Sequence, residues 1–138
     1  MKGHARQFMA VNDVVVSPET TLAEAARQLA RLDITGLPVT DANGRVVGII
    51  TESDMLNAFL AQRASDVSVE TLMTEHVITV DEFTPADQVL TILREQKIHH
   101  LPVVRQGIVV GLITPQSVLH YIVSVSYTHL TLPTIYSV

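Results

Sequence analysis

The sequence predicts a mixed α/β (α+β) fold built from two tandem β-α-β-β-α units, and three observations carry that expectation. A run of β-branched residues, Val46, Val47, Ile49 and Ile50, ends at Thr51 and passes straight into the first turn of a helix. The same passage returns as Val109-Val110-Gly111-Leu112-Ile113-Thr114-Pro115-Gln116-Ser117, which sets Thr51 on Thr114, 63 residues on. Upstream the match continues at an offset of 64, with Met9 on Met73, Val16 on Val80, Leu29 on Leu93, Ile34 on Ile98 and Pro38 on Pro102. A two-copy repeat of this length indicates a duplicated unit whose apolar faces cover each other, which one copy alone could not achieve.

In the first unit Val14 to Val16 read as a short strand, and Thr21 with Glu24 as a capping box opening a helix through Leu32. Leu22, Ala25, Ala26 and Leu29 form its apolar stripe. A β-hairpin follows, with strands Leu37 to Thr40 and Arg45 to Ile50 and a turn at Asp41-Ala42-Asn43-Gly44, where Asn-Gly supplies positive φ. A helix from Thr51 to about Gln62 closes the unit, with Thr51 as N-cap and Asp54 completing a box-like cap. In the second unit Val77 to Val80 are the first strand, and Thr84 caps a helix with Pro85 at its first position. The second hairpin turns at Gln106-Gly107, and Thr114-Pro115 opens the last helix. The units are expected over 5–63 and 71–124, joined by a linker over 64–70.

The 138 residues suffice for one domain with a substantial core, and a hydrophobic share of 47% against 17% charged residues argues for a folded chain. A formal net charge of −5 without a basic cluster makes nucleic acid and anionic membrane poor partners. There is no Cys, which excludes disulfides and thiolate sites and is compatible with a reducing cytoplasm, the expected location. Met1 to Met9 lacks an apolar signal core, and no apolar run approaches the ~18 residues of a membrane span. From Val125 the chain loses charge and is expected to interrupt the closing helix; Val125 to Val138 resembles the translation of a transposon adapter used in sequencing libraries. Residues 125–138 are therefore set aside as a non-native tail.

Two motifs, each present twice and in register, resemble those of the cystathionine-β-synthase (CBS) domain pair, or Bateman module. They are Gly36-Leu37-Pro38-Val39 with Gly48-Ile49-Ile50-Thr51-Glu52-Ser53-Asp54, and Ile98-His99-His100-Leu101-Pro102-Val103 with Gly111-Leu112-Ile113-Thr114. The resemblance covers about residues 5 to 124. It implies tandem repeats related by a pseudo-two-fold axis, sheets packed together with helices outside, two clefts between the repeats, and often a disc-shaped homodimer, either head to head or head to tail. It also implies an adenine nucleotide as regulatory ligand and an effector protein or domain that responds to it.

In relatives that bind AMP, ADP or ATP, the carboxylate of a Thr-x-x-Asp motif bonds the ribose hydroxyls, strand residues sandwich the adenine, and hydroxyl and basic groups hold phosphate. Carried onto this chain, one cleft combines Thr51, Ser53 and Asp54 with Val77, Ile78, Ile98, His99 and His100, and every role is filled. The stretch from Lys97 to Pro102 is similar to the nucleotide-binding strand of the γ subunits of AMP-activated protein kinases, with His100 in place of the usual Arg. The other cleft combines Val14, Thr35 and Gly36 with Thr114, Gln116 and Ser117 and is degraded. Ser117 replaces the ribose carboxylate, Pro115 removes one N–H, Thr35-Gly36 bring no cation, and Asp13 adds a negative charge. One adenine nucleotide per chain is expected.

Thr51-x-x-Asp54 also reads as a plain helix cap, as Thr114-Pro115 does. Neighbouring residues of a regular strand face opposite sides, so His99 and His100 reach one cleft only if the strand frays before Pro102. Two histidines do not make a zinc site, and no nucleophile–base set or carboxylate pair suggests catalysis. Met9, Met55 and Met73 sit at apolar positions and are assigned to the core, whereas His4, His76, His120 and His129 are isolated. The reading is a non-catalytic adenine-nucleotide sensor. Its alternatives are a ligand-free dimerisation module and a regulatory fragment of a larger enzyme or transporter.

Overall fold

The computed structural model describes residues 3–11 and 14–129. The elements are α1 (Ala5–Phe8), β1 (Ala10–Val11), α2 (Leu22–Leu32), β2 (Gly36–Thr40), β3 (Val46–Thr51) and α3 (Glu52–Leu60). A 3-10 turn (Val69–Thr71) then leads to β4 (Val80–Asp81), α4 (Ala86–Gln96), β5 (Leu101–Arg105), β6 (Ile108–Ile113) and α5 (Pro115–His129). The β-branched runs zip into two antiparallel hairpins, β2–β3 and β5–β6, each with a register shift at the same repeat position, after Val39 and after Val103. In the first turn only Gly44 of the Asn-Gly pair is left-handed (φ 83°), while the Asp41 carboxylate accepts from the N–H groups of Asn43 and Arg45.

Each hairpin is flanked by one segment of its own unit and one of the other. Val80 of β4 pairs in parallel with Val103, and Val16 bridges Val39 in the same sense. On the opposite edge β1 pairs with β6 (Ala10 with Leu112, Val11 with Gly111), and Thr74 bridges Ile49. The leader of each unit is thus exchanged onto the sheet of its neighbour. Met9 and Met73 lie over Gly111 and Gly48: a Cβ on Gly111 would stand 2.9 Å from the Ala10 carbonyl oxygen, and one on Gly48 would stand 3.0 Å from that of Thr74. The cores follow the exchange. Ala5 and Phe8 pack with Val80, Val89, Leu101, Val103 and Ile113, and Val69 packs with Leu22, Leu29, Leu37, Val39 and Ile50.

Four expectations need correction. Thr84 does not cap α4; Pro85 is the extended N-cap residue, and the incoming leader meets this end instead, with Ala86 N–H donating to Gly3 and Ala5 N–H donating to Thr84. Glu24 does not close a box with Thr21, because its carboxylate accepts from Arg27 and Gln28, although Thr21 Oγ1 does cap α2. The first strands shrink to a bridge at Val16 and to Val80–Asp81, the residues that pair in parallel with Val39 and with Val103 and Val104. The closing helix is not interrupted at Val125 but runs on to His129, since no Gly or Pro stands between Gln116 and His129; residues 130–138, like Asp13, lie outside the described residues. Among the described residues no helix is long and apolar enough to cross a membrane.

The exchange makes a steric prediction. Gly111→Ala should destabilise the fold by about 1–3 kcal/mol, as overpacking does. Removing the thioether as well, in Gly111→Ala with Met9→Ala, should not restore it, because the Ala10 carbonyl remains in the way. Urea denaturation of the two variants against the parent measures this; an unchanged midpoint for Gly111→Ala would show that the edge yields.

Candidate functional site

Thr51 ends β3 and Thr114 directly follows β6; both line one cavity, and each caps the helix that follows. At Thr51 the box is complete. Asp54 Oδ2 accepts from Thr51 N–H (2.8 Å) and from its hydroxyl (3.0 Å), and Thr51 Oγ1 accepts from Asp54 N–H (3.3 Å). At Thr114 the same geometry is made by Ser117, whose hydroxyl accepts from Thr114 N–H (2.9 Å) and donates to its carbonyl (3.0 Å). The difference lies in what is left over. One oxygen of Asp54 closes its cap, and Oδ1 accepts no hydrogen bond among the described residues, whereas the Ser117 hydroxyl has already spent its only proton.

β5 begins at Leu101, so His99 and His100 precede the strand and escape its alternation. Both line the same two cavities. One, of about 330 Å³, gathers Thr51, Val77, Ile78, Ile98, His99 and His100 with Ile49, Thr74, His76 and Lys97. The other, of about 430 Å³, lies between the two helix starts and gathers Ser53 with Thr35, Thr114 and Gln116, together with Glu52 and Pro115. Six of the eight residues of the first expected cleft therefore share one cavity, with Ser53 next door. Asp54 is half-buried behind Thr51, and Asp54, Val14, Gly36 and Ser117 line neither cavity. The sequence reading missed Thr74 and His76, which reach the site only because the exchanged leader lays Thr74 against Ile49.

His100 is the contact between the units. Its Nε2 lies 2.7 Å from Thr35 Oγ1, and a Cβ on Gly36 would stand 2.6 Å from its Cδ2, so glycine there makes room for the ring. Burial, then the neighbouring His99, hold the imidazole below its usual range, against the opposing pull of Glu52 and Asp54. Three cations of the chain that could meet a phosphate, Lys97, Arg105 and Arg63, differ in placement. Lys97 lines the smaller cavity; Arg105 is held by Glu82 through Nε and Nη2 (2.5 and 3.0 Å); Arg63 is exposed and lines neither cavity. Among the described residues no group of three or more His, Cys, Asp or Glu could hold a metal.

A doubled unit with exchanged leaders and paired strand-to-helix ends defines a tandem-repeat architecture, and the family model for the CBS domain matches it twice, over residues 5–61 and 66–124. The chain belongs to the CBS-domain family. It is 39% identical over 93 residues to an uncharacterized 17.7 kDa protein of Acidianus ambivalens, covering 67% of this chain and 56% of that one. It is 40% identical over 107 residues to the inosine-5'-monophosphate dehydrogenase of Mycobacterium leprae, covering 77% of this chain but only 20% of the enzyme. Among solved structures it resembles CBSX2 in complex with AMP (28% identity, TM-score 0.77, 90% and 99% of the chains covered). It also resembles the CBS domain pair of protein MJ0100 in complex with 5'-methylthioadenosine and S-adenosyl-L-methionine (27%, TM-score 0.79, 90% and 98%). Pairs of this domain are, as a class, regulatory modules rather than catalysts.

The lowered His100 has a signed consequence. An imidazole neutral in the fold takes up a proton on unfolding below pH about 6.5, so its contribution is whole above that pH and is lost as pH falls through the folded value. The melting temperature of the parent should drop more steeply between pH 7 and 5 than that of His100→Gln, which keeps a polar partner for Thr35. Equal slopes would remove the histidine from the account.

Proposed function

We propose that the chain is a regulatory module that binds an adenosine-containing ligand carrying at most one phosphate in the cavity beside Thr51, and passes its occupancy to a partner protein or to further domains. The observation that carries this reading is the gathering of Thr51, Val77, Ile78, Ile98, His99 and His100 around one cavity, and Asp54, bonded to Thr51 through Oδ2 and outside the lining itself, has its second oxygen uncommitted for a ribose hydroxyl. Val77, Ile78 and Ile98 supply apolar walls for a base, and His99 a flat face. The cavity of about 330 Å³ lies at the small end of ligand sites. Lys97 is the permanent cation in its lining, while Glu52 stands beside His100, which favours a nucleoside or monophosphate over a triphosphate. The adenosyl ligands of the two similar structures support the class of ligand. A match confined to a fifth of the dehydrogenase supports a module that serves a larger protein.

Calorimetric titration with AMP, ATP, 5'-methylthioadenosine and S-adenosylmethionine tests the reading, with AMP expected to bind at least as tightly as ATP. Asp54→Ala removes charge-assisted hydrogen bonds worth ~1.5–3 kcal/mol and should weaken binding roughly 10- to 150-fold. Ser117→Ala should leave affinity unchanged. Equal losses from both substitutions would defeat the one-site assignment, and silence from all four ligands would favour the dimerisation module.

The module is also assigned a homodimeric state. Leu56, Phe59 and Leu60 on α3 are 63%, 82% and 79% exposed, and their repeat equivalents Leu119, Ile122 and Val123 on α5 are 59%, 45% and 51% exposed. Two matched apolar triads at i, i+3, i+4 spacing, one on each repeat, are more than scattered surface residues explain. Phe59→Glu should convert a dimer to monomer in sedimentation velocity without lowering the urea midpoint. A parent chain that sediments as a monomer at all concentrations would refute the assignment.

A further inference from the structure

The fold carries the same groove twice, with opposite charge. In the second unit Leu90 and Leu93 of α4, with Val118 and Leu119 of α5, floor a groove of about 700 Å³ rimmed by Arg94 and Lys97. In the first unit Leu29, Ile34, Met55 and Leu56 floor its counterpart of about 330 Å³, rimmed by Asp33 and Glu52. The backbone is the same in both. Asp33 and Lys97 are the left-handed C-cap residues of α2 and α4, each with φ 53°, so the two repeats put opposite charges on one site. Arg94 likewise stands where the first unit has Ala30, and Glu52 where the second has Pro115.

All four rim residues are exposed, and none belongs to the ion pairs seen among the described residues, Arg27 with Glu24 and Arg105 with Glu82. Each groove runs into the apolar triad of its own repeat, because Leu56 and Leu119 belong to groove and triad alike. A molecule that covers both triads meets a basic rim at one and an acidic rim at the other.

We propose that two copies of the chain associate head to tail, the Arg94/Lys97 groove of each facing the Asp33/Glu52 groove of the other. The proposal rests on the homodimer reading above and adds its orientation. A two-fold axis makes the contact isologous, so a head-to-tail pair gains two complementary contacts. A head-to-head pair sets like rim on like rim at both ends, and such juxtaposition excludes an orientation even where matched pairs add little affinity. The occupant is a second copy because the complementary rim is carried on the same chain, at the equivalent position of the other repeat.

The test is sedimentation equilibrium of the full chain, its Arg94→Glu/Lys97→Glu variant, and a quadruple variant that adds Asp33→Lys and Glu52→Lys. Head-to-tail association predicts that the double variant, acidic at both ends, dimerises at least about tenfold more weakly at low salt, and that 0.5 M salt narrows the gap by screening. The quadruple variant, with both rims inverted, should recover the parent affinity. Head-to-head association predicts no loss in the double variant, because like still faces like. A double variant as tight as the parent, or a quadruple variant that fails to recover, overturns the orientation. The two readings fail separately: a parent dimer that is lost in Phe59→Glu but indifferent to the rim charges keeps the dimer and sinks the orientation, whereas a monomeric parent sinks both.

Discussion

The exchange of leader segments is the constraint on which the rest depends. Neither hairpin has a complete sheet of its own: Ala10 and Val11 supply the edge of β6, and Thr74 supplies the edge of β3. Each approach is close enough that only glycine fits beneath it, at Gly111 and at Gly48. The leaders also meet the partner helices, Gly3 accepting from Ala86 and Val67 accepting from Leu22. One unit therefore cannot satisfy its backbone without the other, and the contacts that close the fold are long in sequence. The exchange also fixes the pseudo-axis. It brings Thr51 beside Thr114, and Thr35-Gly36 against His99-His100, into one shared space.

Within that space the two halves use identical backbone geometry for different chemistry. A threonine cap closed three residues later occurs at both helix starts. A hydroxyl and a carboxylate can each close the box, so stability alone does not choose between Asp54 and Ser117. What differs is the residue of hydrogen-bonding capacity once the cap is made. A cap is thus no argument against a ligand role for Asp54, since its carboxylate has acceptor positions for both.

The repeat, the hairpins, the helices and the cap residues were legible because they rest on local pattern: β-branched runs, Gly turns, and Thr three residues before a polar partner. The exchange was not, although its trace was present. Met9 and Met73 matched across the repeat and read only as core residues, because hydrophobic character does not say which core. The same blindness displaced the cap of α4, where a segment about eighty residues away in sequence meets the end that Thr84 was expected to cap. In the site, His100 was read as a substitute for a cation. Its contact with Gly36 and Thr35 adds a packing role between the units that no local pattern encodes.

Duplication yields two equal halves, and a sensor needs them unequal. The inequality is written at positions 33 and 97, 36 and 100, 52 and 115, and 54 and 117, all outside the two buried cores. Several of these residues serve two surfaces. Lys97 lines both the cavity beside Thr51 and the basic groove, and Glu52 lines both the central cavity and the acidic groove. A side chain drawn toward a ligand phosphate is drawn away from the groove rim, so occupancy and association share the same charges. Linkage then requires the effect to be reciprocal: whatever a ligand does to dimer affinity, dimerisation does to ligand affinity. On the proposed reading of one ligand and a homodimer, the asymmetric charges are a physical route from binding to assembly that needs no rearrangement of either core.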